Sequence, residues 1–209
     1  MTAGRRPTAF GDPDLLTGRL FFALAVPNRV KAPLEAALPA LGGLLPGARF
    51  SSPAGWHLTL AFLGQVRAEF GGDVVAVGEA AAAAAPPRLK LNLDGAGGFP
   101  SDGRAHVLWA GIGGDLEGLN TLATELADAS REVGLRTDDR AFHAHLTLAR
   151  LGEARKLTPE ALDRVAEAAA AAPPWESTTL HCYRSTMTNQ GTRYTIVRSF
   201  RLGGGEPDS

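Results

Sequence analysis

One octapeptide occurs twice in this 209-residue chain, and the repetition limits the folds open to the chain more than any other feature. The first copy, residues 57–64, is HLTLAFLG, and the second copy, residues 145–152, is HLTLARLG. The copies differ only at Phe62 and Arg150, and they are offset by 88 residues. A match of this length outside any low-complexity segment indicates an internal duplication.

The duplication extends beyond the octapeptide. The same offset superimposes residues 21–24 on 109–112 and residues 89–95 on 177–183. We therefore expect two pseudo-equivalent halves, about 19–95 and 106–183, inside one domain that spans 18–202. The flanking residues, 1–17 and 203–209, contain Gly and Pro but few core-forming residues, which predicts flexible tails.

Hydrophobic periodicity predicts strands and helices that follow one another in the same order in both halves. The predicted strands are 19–26, 56–63, 89–93, 106–112, 142–151, 178–183 and 193–202, and the predicted helices are 29–41, 70–85, 116–133 and 158–171. We expect an α+β, bilobal duplicated fold, in which two antiparallel sheets flank a central cleft and the helices lie outside. A doubly wound parallel sheet is disfavoured because no glycine-rich phosphate loop follows the first strand.

Composition excludes several classes of protein. The net charge of −1 provides no global basic field, so any contact with RNA must come from a local cluster of arginines. Cys182 is the only cysteine, which excludes an intrachain disulfide and a multi-cysteine zinc site. No apolar run approaches the roughly 20 residues of a membrane helix, and the expected location is the cytoplasm, away from membranes.

The octapeptide combines polar and apolar residues in a pattern that suits a strand with one polar face. Residues two apart on a strand share a face, so His57 projects with Thr59 and His145 with Thr147, while the alternating leucines enter the core. If the two halves face each other, both pairs converge on one pocket. That pocket would contain two imidazoles and two hydroxyls.

Two histidines and two hydroxyls suit the opening of a cyclic phosphate. Histidine titrates near neutral pH, so one ring can accept a proton from water while the other donates a proton to the departing ribose oxygen. The threonine hydroxyls would hold the non-bridging oxygens as charge develops. This scheme needs no metal and no cofactor, and it predicts a bell-shaped pH profile with an optimum near neutrality.

Two other interpretations of the motif are less favoured. A single His-x-Thr on a strand is often a packed, hydrogen-bonded pair, but packing alone does not explain why both polar residues occur in both copies. A zinc site would need a third ligand, and His143 could share the face of His145. Gly55 occupies the position equivalent to His143, and no carboxylate or cysteine neighbours either copy.

Several segments together resemble the 2H phosphoesterase superfamily, and within it the bacterial and archaeal RNA 2′,3′-cyclic phosphodiesterases once named 2′-5′ RNA ligases. The resemblance covers about residues 18–202. The segments that carry it are RLFFAL at 19–24, WHLTL at 56–60, GFP at 98–100, FHAHLTLAR at 142–150 and the closing segment 185–200.

The resemblance implies a duplicated bilobal fold and conversion of a terminal 2′,3′-cyclic phosphate to a 2′-phosphomonoester. It implies that His57 is the proton donor and His145 the proton acceptor, and that reversible 2′-5′ RNA ligation is possible. The implied substrates are single-stranded RNA ends or nucleotides with a 2′,3′-cyclic phosphate. We expect the protein to be a monomer. The alternatives are a phosphodiesterase for a small nucleotide, such as a cyclic ADP-ribose phosphate, and a nucleotide-binding module without catalysis.

Three further residues are candidates for substrate binding. Phe22 could stack on the terminal base or belong to the core, and Tyr194 could border the cleft. Arg150 could reach a phosphate oxygen, although strand alternation puts it on the face opposite Thr147 unless the strand ends or bulges there. Trp109 is expected in the core.

Overall fold

The computed structural model describes residues 16–101, 103–138, 141–189 and 191–204. Within these residues, strands β1 to β9 are Gly18–Ala25, Arg49–Phe50, His57–Val66, Leu89–Phe99, Ala105–Gly114, His145–Arg155, Trp175–Ser177, Thr179–Thr188 and Gly191–Arg201. Helices α1 to α4 are Asn28–Leu44, Gly71–Ala84, Leu116–Glu132 and Pro159–Ala170.

The strands form two antiparallel sheets. Sheet A has the order β3-β1-β8-β9, and sheet B has the order β2-β6-β5-β4-β7. Together with the four helices they make the α+β fold that the sequence predicts. Strands β3 and β6 contact each other, so the two sheets meet along the strands that carry the octapeptide.

The two halves of the sequence do not coincide with the two sheets. The duplication relates β1, β3 and β4 to β5, β6 and β8. However, β4 pairs with β5 in sheet B, and β8 pairs with β1 in sheet A. Each half therefore contributes its third strand to the sheet of the other half. Sequence periodicity does not reveal this exchange, because it identifies strands but not their partners.

Local sequence explains where the helices of the second half begin. The Asp115 carboxylate accepts a hydrogen bond from the Gly118 N–H at the start of α3, and the Thr158 hydroxyl accepts one from the Ala161 N–H at the start of α4. The helices then bury apolar side chains against the core face of each sheet. Fully buried members of this core include Leu34, Leu58, Leu119, Leu122, Leu126, Leu146, Leu148 and Val165.

Some predicted boundaries are wrong. Strand β4 continues to Phe99, beyond the predicted end at residue 93, because a bulge between Leu93 and Ala96 interrupts its alternation. The short strands β2 and β7 are absent from the prediction because two or three residues give no measurable period. Leu16, assigned to the N-terminal tail, is 2% exposed and belongs to the core.

The predicted C-terminal tail also begins too early, because the Gly203 N–H donates a hydrogen bond to the Ala82 carbonyl. The other residues of both predicted tails, 1–15 and 205–209, lie outside the described residues. None of the helices in the described part of the chain is long and apolar enough to cross a membrane.

Candidate active site

The two octapeptide strands present the same polar residues on the face opposite the core, which we call the site face. His57, Thr59, His145 and Thr147 are all half-buried there. The leucines between and after them are buried, from 0% exposed at Leu58 and Leu146 to 7% at Leu60. The strand alternation expected from the sequence is therefore present in both copies.

Each histidine ring is oriented by the backbone two residues before it. His57 Nδ1 lies 2.7 Å from the Gly55 carbonyl oxygen, and His145 Nδ1 lies 2.7 Å from the His143 carbonyl oxygen. A carbonyl oxygen can only accept, so Nδ1 carries the proton in both rings. Nε2 is then the nitrogen that exchanges protons. It accepts in the neutral ring and donates in the imidazolium.

A short chain of hydrogen bonds connects the two octapeptides. The Trp56 indole N–H donates to Ser51 Oγ at 2.9 Å, and the Ser51 hydroxyl contacts the Thr147 and Leu148 carbonyls at 2.9 and 3.0 Å. Trp56 precedes His57 in the chain. These hydrogen bonds therefore connect the start of β3 to β6. Ser51 carries no recognisable motif, so sequence reasoning did not identify it.

Aromatic side chains enclose His57. The centroid of its ring lies 4.7 Å from that of Phe21, 5.6 Å from that of Tyr183 and 4.8 Å from that of Tyr194. Tyr183 is stacked on the imidazole, whereas Tyr194 meets it edge-on. These rings remove His57 from water without offering it a carboxylate partner.

The surroundings of His145 are also aromatic. Phe99 meets its ring edge-on with a centroid distance of 4.9 Å, and Trp109 lies 6.4 Å away. Trp109 is half-buried on the site face, so its assignment to the core was wrong. The duplication relates Trp109 to Phe21, and both aromatic residues contact the histidine of their own sheet.

These environments lower the pKa of both imidazoles. The pKa of His57 falls to about 4, and burial is the main cause. The hydrogen bond to the Gly55 carbonyl raises this pKa, and the positive charges of Lys31 and His145 lower it further. Burial also lowers the pKa of His145, as do the charges of His143 and Arg150, against the effect of the His143 carbonyl. Both rings are therefore neutral at pH 7 in the free protein.

Arg150 lies on the site face because strand β6 bulges. Trp109 pairs with Thr147, and the next residue back, Leu108, pairs with Ala149, so Leu148 is an extra residue in the ladder. The bulge reverses the alternation after Thr147 and returns Arg150 to the same face. Strict strand alternation would place Arg150 on the opposite face, so the bulge meets the condition under which the sequence predicts a phosphate contact.

Phe22 is not available to a ligand, so its assignment as a base-stacking residue was wrong. Its side chain is 0% exposed and packs in the main core, 6.0 Å from Phe200 between ring centroids. The neighbouring Phe21 faces the site instead. Tyr194, by contrast, is 39% exposed and lies against His57 at the border of the site.

No group of three or more His, Cys, Asp or Glu side chains in the described ranges could hold a metal ion. His143 is exposed, and its ring centroid lies 6.2 Å from that of His145. Cys182 is buried, and burial raises the pKa of its thiol to about 12.

The fold and the paired site define a duplicated α+β protein with one His-x-Thr strand from each sheet, and comparison with known proteins identifies its family. The family model for LigT like phosphoesterases matches residues 24–109 and 115–194, which is most of the chain. The chain therefore belongs to the LigT-like phosphoesterase family.

Two relatives are similar over nearly their whole length. The RNA 2′,3′-cyclic phosphodiesterase of Escherichia coli K12 is 30% identical, with 88% of this chain and 96% of that protein covered. The RNA 2′,3′-cyclic phosphodiesterase of Archaeoglobus fulgidus is 28% identical, with 87% of this chain and 99% of that protein covered.

Solved structures of the family share the fold. The crystal structure of E. coli LigT complexed with 3′-AMP matches with a TM-score of 0.68 at 28% identity, and covers 89% of this chain and 98% of its own. The crystal structure of TT0787 of Thermus thermophilus matches over the same shares with a TM-score of 0.67 and 28% identity. Other structures of E. coli LigT contain ATP or NADP+.

Proposed function

We propose that this protein hydrolyses 2′,3′-cyclic phosphates at the ends of single-stranded RNA to 2′-phosphomonoesters, by acid-base catalysis with two histidines and no metal. The main support is the pair of imidazoles whose Nδ1 atoms are occupied by backbone carbonyls, leaving Nε2 for proton transfer. The similar proteins of E. coli and A. fulgidus are RNA 2′,3′-cyclic phosphodiesterases, which supports this class of reaction.

The reaction is a substitution at phosphorus. His145 Nε2 takes a proton from water as the water oxygen bonds to phosphorus, the bond from phosphorus to the ribose 3′ oxygen breaks, and His57 Nε2 gives its proton to that oxygen. The Thr59 and Thr147 hydroxyls donate hydrogen bonds to the non-bridging oxygens. One proton is gained and one is lost, so the pair ends with its protonation states exchanged.

Binding of the anionic substrate favours protonation of one of the two imidazoles. Both imidazoles are neutral in the free protein because burial, above all, lowers their pKa. A bound phosphate monoanion favours a nearby positive charge and so raises the pKa of the ring that it approaches. We assign that ring as His57, the proton donor. An imidazolium with an intrinsically low pKa transfers its proton readily to the leaving oxygen.

Two exposed residues complete the proposed substrate contacts. Arg150 lies on the same face as Thr147, where its guanidinium can donate two hydrogen bonds to phosphate oxygens. Tyr194 borders His57 and offers an aromatic edge to the terminal nucleoside. A ribose 5′ hydroxyl in place of water would form a 2′-5′ phosphodiester as the 3′ oxygen leaves, which is a reversible joining reaction. One chain supplies both histidines, so we expect a monomer to be active.

Substitution of each histidine tests the mechanism. His57→Ala and His145→Ala should each lower kcat on a cyclic mononucleotide by at least about 100-fold, which is the contribution of one acid-base catalyst. His106→Ala is the matched control because His106 is exposed on β5 and contacts neither ring. Circular dichroism should show that all three variants are folded. A folded variant of His57 or His145 with substantial activity would contradict the paired mechanism.

A substrate with a good leaving group separates the two roles. If the 3′ oxygen is replaced by a nitrophenolate-type leaving group, protonation of that group is no longer needed. The analogue should then restore much of the activity of His57→Ala and none of the activity of His145→Ala. The opposite result would exchange the donor and acceptor assignments.

A further inference from the structure

A second arginine lies beside Arg150 on the site face. Strand β2 has only two residues, and it pairs with β6 so that Arg49 is directly opposite Arg150 and Phe50 is opposite Ala149. Directly opposite residues of an antiparallel pair point to the same face, with Cβ atoms about 5 Å apart. Arg49 therefore stands next to Arg150, one strand further from His145.

This arrangement is unfavourable for the folded protein alone. Like charges directly opposite each other on a sheet are destabilising. Both side chains are exposed, and neither has an ion-pair partner within the described ranges. Several other arginines of the described part of the chain form ion pairs with carboxylates, namely Arg67, Arg88, Arg131, Arg164 and Arg198. In a chain with a net charge of −1, the Arg49–Arg150 pair is a local positive site.

A third arginine holds this edge of the sheet in position. The Arg155 guanidinium donates a hydrogen bond of 2.9 Å to the Pro46 carbonyl, three residues before Arg49. Arg155 belongs to β6, so the bond ties the segment that precedes β2 to the strand that carries Arg150.

The surface of sheet A on the other side of the site exposes several large apolar side chains. The duplication relates Arg150 to Phe62, which is 49% exposed on β3. Other large apolar side chains exposed on sheet A are Tyr194 at 39%, Ile196 at 46% and Met187 at 79%. The sheet B side therefore has two adjacent exposed arginines, whereas the sheet A side combines these apolar side chains with the exposed Arg19. The adjacent arginines fit a nucleotide chain whose phosphates lie along sheet B.

We propose that Arg49 binds the phosphodiester on the 5′ side of the terminal nucleotide, so that the protein acts on RNA ends in preference to cyclic mononucleotides. The inference rests on the proposed function, which assigns Arg150 to the reacting phosphate. A single strand presents its next phosphate one nucleotide away, and the neighbouring guanidinium is positioned to receive it. Arginine suits this contact because its planar fork matches two phosphate oxygens.

The test compares two substrates in one set of variants. The ratio of kcat/KM for a trinucleotide ending in a 2′,3′-cyclic phosphate to kcat/KM for the matching cyclic mononucleotide should fall about 10-fold or more in Arg49→Gln. Arg49→Lys should keep part of the ratio because it keeps the charge. Arg164→Gln, on the exposed face of α4, should keep the whole ratio.

Salt and heat provide readouts that a structural role would not give. The slope of log kcat/KM for the trinucleotide against log salt concentration should become shallower by about 0.7 in Arg49→Gln, as expected for one lost phosphate contact on a single strand. The melting temperature should not fall, because the substitution removes a repulsion between like charges.

An unchanged ratio in Arg49→Gln would overturn the inference, as would a loss of equal size on both substrates. If the wild-type protein hydrolysed neither substrate, the proposed function would fail instead. Fluorescence anisotropy with a labelled trinucleotide 3′-phosphate would then test Arg49 separately. The inference requires Arg49→Gln to weaken that binding about 10-fold, and equal binding by wild type and variant would contradict it.

Discussion

At the scale of single residues, the two histidines share one anchoring geometry and one kind of environment. In both, Nδ1 donates to the carbonyl two residues back, and in both, burial among aromatic rings is the main cause of a lowered pKa. In the free protein both of these imidazoles are therefore mainly neutral at pH 7. In the proposed mechanism, the acid catalyst forms when an anionic substrate binds and raises the pKa of His57.

This environment shifts the expected pH dependence of kcat/KM away from neutrality. The active form needs one protonated and one neutral imidazole, and both rings titrate below their ordinary pKa of 6.5 in the free protein. Above the higher of the two pKa values neither ring is protonated, so kcat/KM should fall with rising pH and reach its optimum below about 6.5. The optimum near neutrality that histidine chemistry alone predicts does not take this burial into account.

Parallel measurement of kcat checks the origin of the shift. Because kcat reports the enzyme-substrate complex, in which the bound phosphate favours the imidazolium, its profile should lie at higher pH than that of kcat/KM. The limbs belong to the interacting pair and not to either residue alone. An optimum of kcat/KM at or above pH 7 would contradict the burial argument.

The sequence is informative about single residues where the duplication repeats them. His57 and His145 were predicted because both copies of the octapeptide retain them in the same alternation. Phe22 was misassigned because the continuous apolar run LFFAL gives no alternation, and so does not indicate which of its two phenylalanines faces the site. Phe21 and Tyr183 contact His57 only through the tertiary fold, so no local pattern identifies them.

At the scale of the elements, an extra residue directly after each His-x-Thr pair decides what faces the site. Leu148 bulges from β6, and Leu60 bulges from β3 in the same way, since Ala23 pairs with Thr59 and Phe22 with Ala61. Each bulge is followed by an alanine that is also buried. Two successive buried residues in an alternating strand are the local signal of the bulge, and that signal is visible in the sequence.

Gly97 of strand β4 leaves room for the Trp109 ring beside His145. Gly97 pairs with Trp109, and a Cβ at Gly97 would overlap the Trp109 ring. Gly97→Ala should therefore displace the indole beside His145, lower kcat and destabilise the fold by about 1–3 kcal/mol. Thermal melts and turnover measurements should show both effects.

Gly152→Ala is the matched control, because Gly152 lies in β6 of the same sheet with no atom within 4 Å of the added Cβ. It should change neither the melting temperature nor kcat appreciably. If Gly97→Ala behaved like Gly152→Ala, Trp109 would not be held in place by the close approach of β4.

At the scale of the whole molecule, the exchange of β4 and β8 makes the two halves interdependent. Sheet A combines β1 and β3 of the first half with β8 of the second half. Sheet B combines β5 and β6 of the second half with β4 of the first half. Two active lobes made independently would leave one imidazole in each. The exchange of strands instead places both histidines in one folded unit. They are close enough for the charge of His145 to contribute, after burial, to the lowered pKa of His57.

The exchange predicts that neither half folds alone. Fragments 1–101 and 102–209, separated at the turn between β4 and β5, should each lack cooperative thermal unfolding because each leaves the core face of its sheet incomplete. Mixed or co-expressed fragments should recover the fold and the phosphodiesterase activity. Cooperative unfolding of either fragment by itself would show that the strand exchange is not required for stability.

The central claim is the identity of the reaction, and phosphorus NMR of the product tests it most directly. A dinucleotide with a terminal 2′,3′-cyclic phosphate is incubated with the protein in EDTA, because the proposed chemistry uses imidazoles and hydroxyls and no metal. We expect the cyclic phosphate resonance to be replaced by that of the 2′-phosphomonoester alone, at the rate seen without chelator. A 3′-phosphomonoester, a persistent cyclic phosphate, or activity that EDTA abolishes and zinc restores would contradict the account.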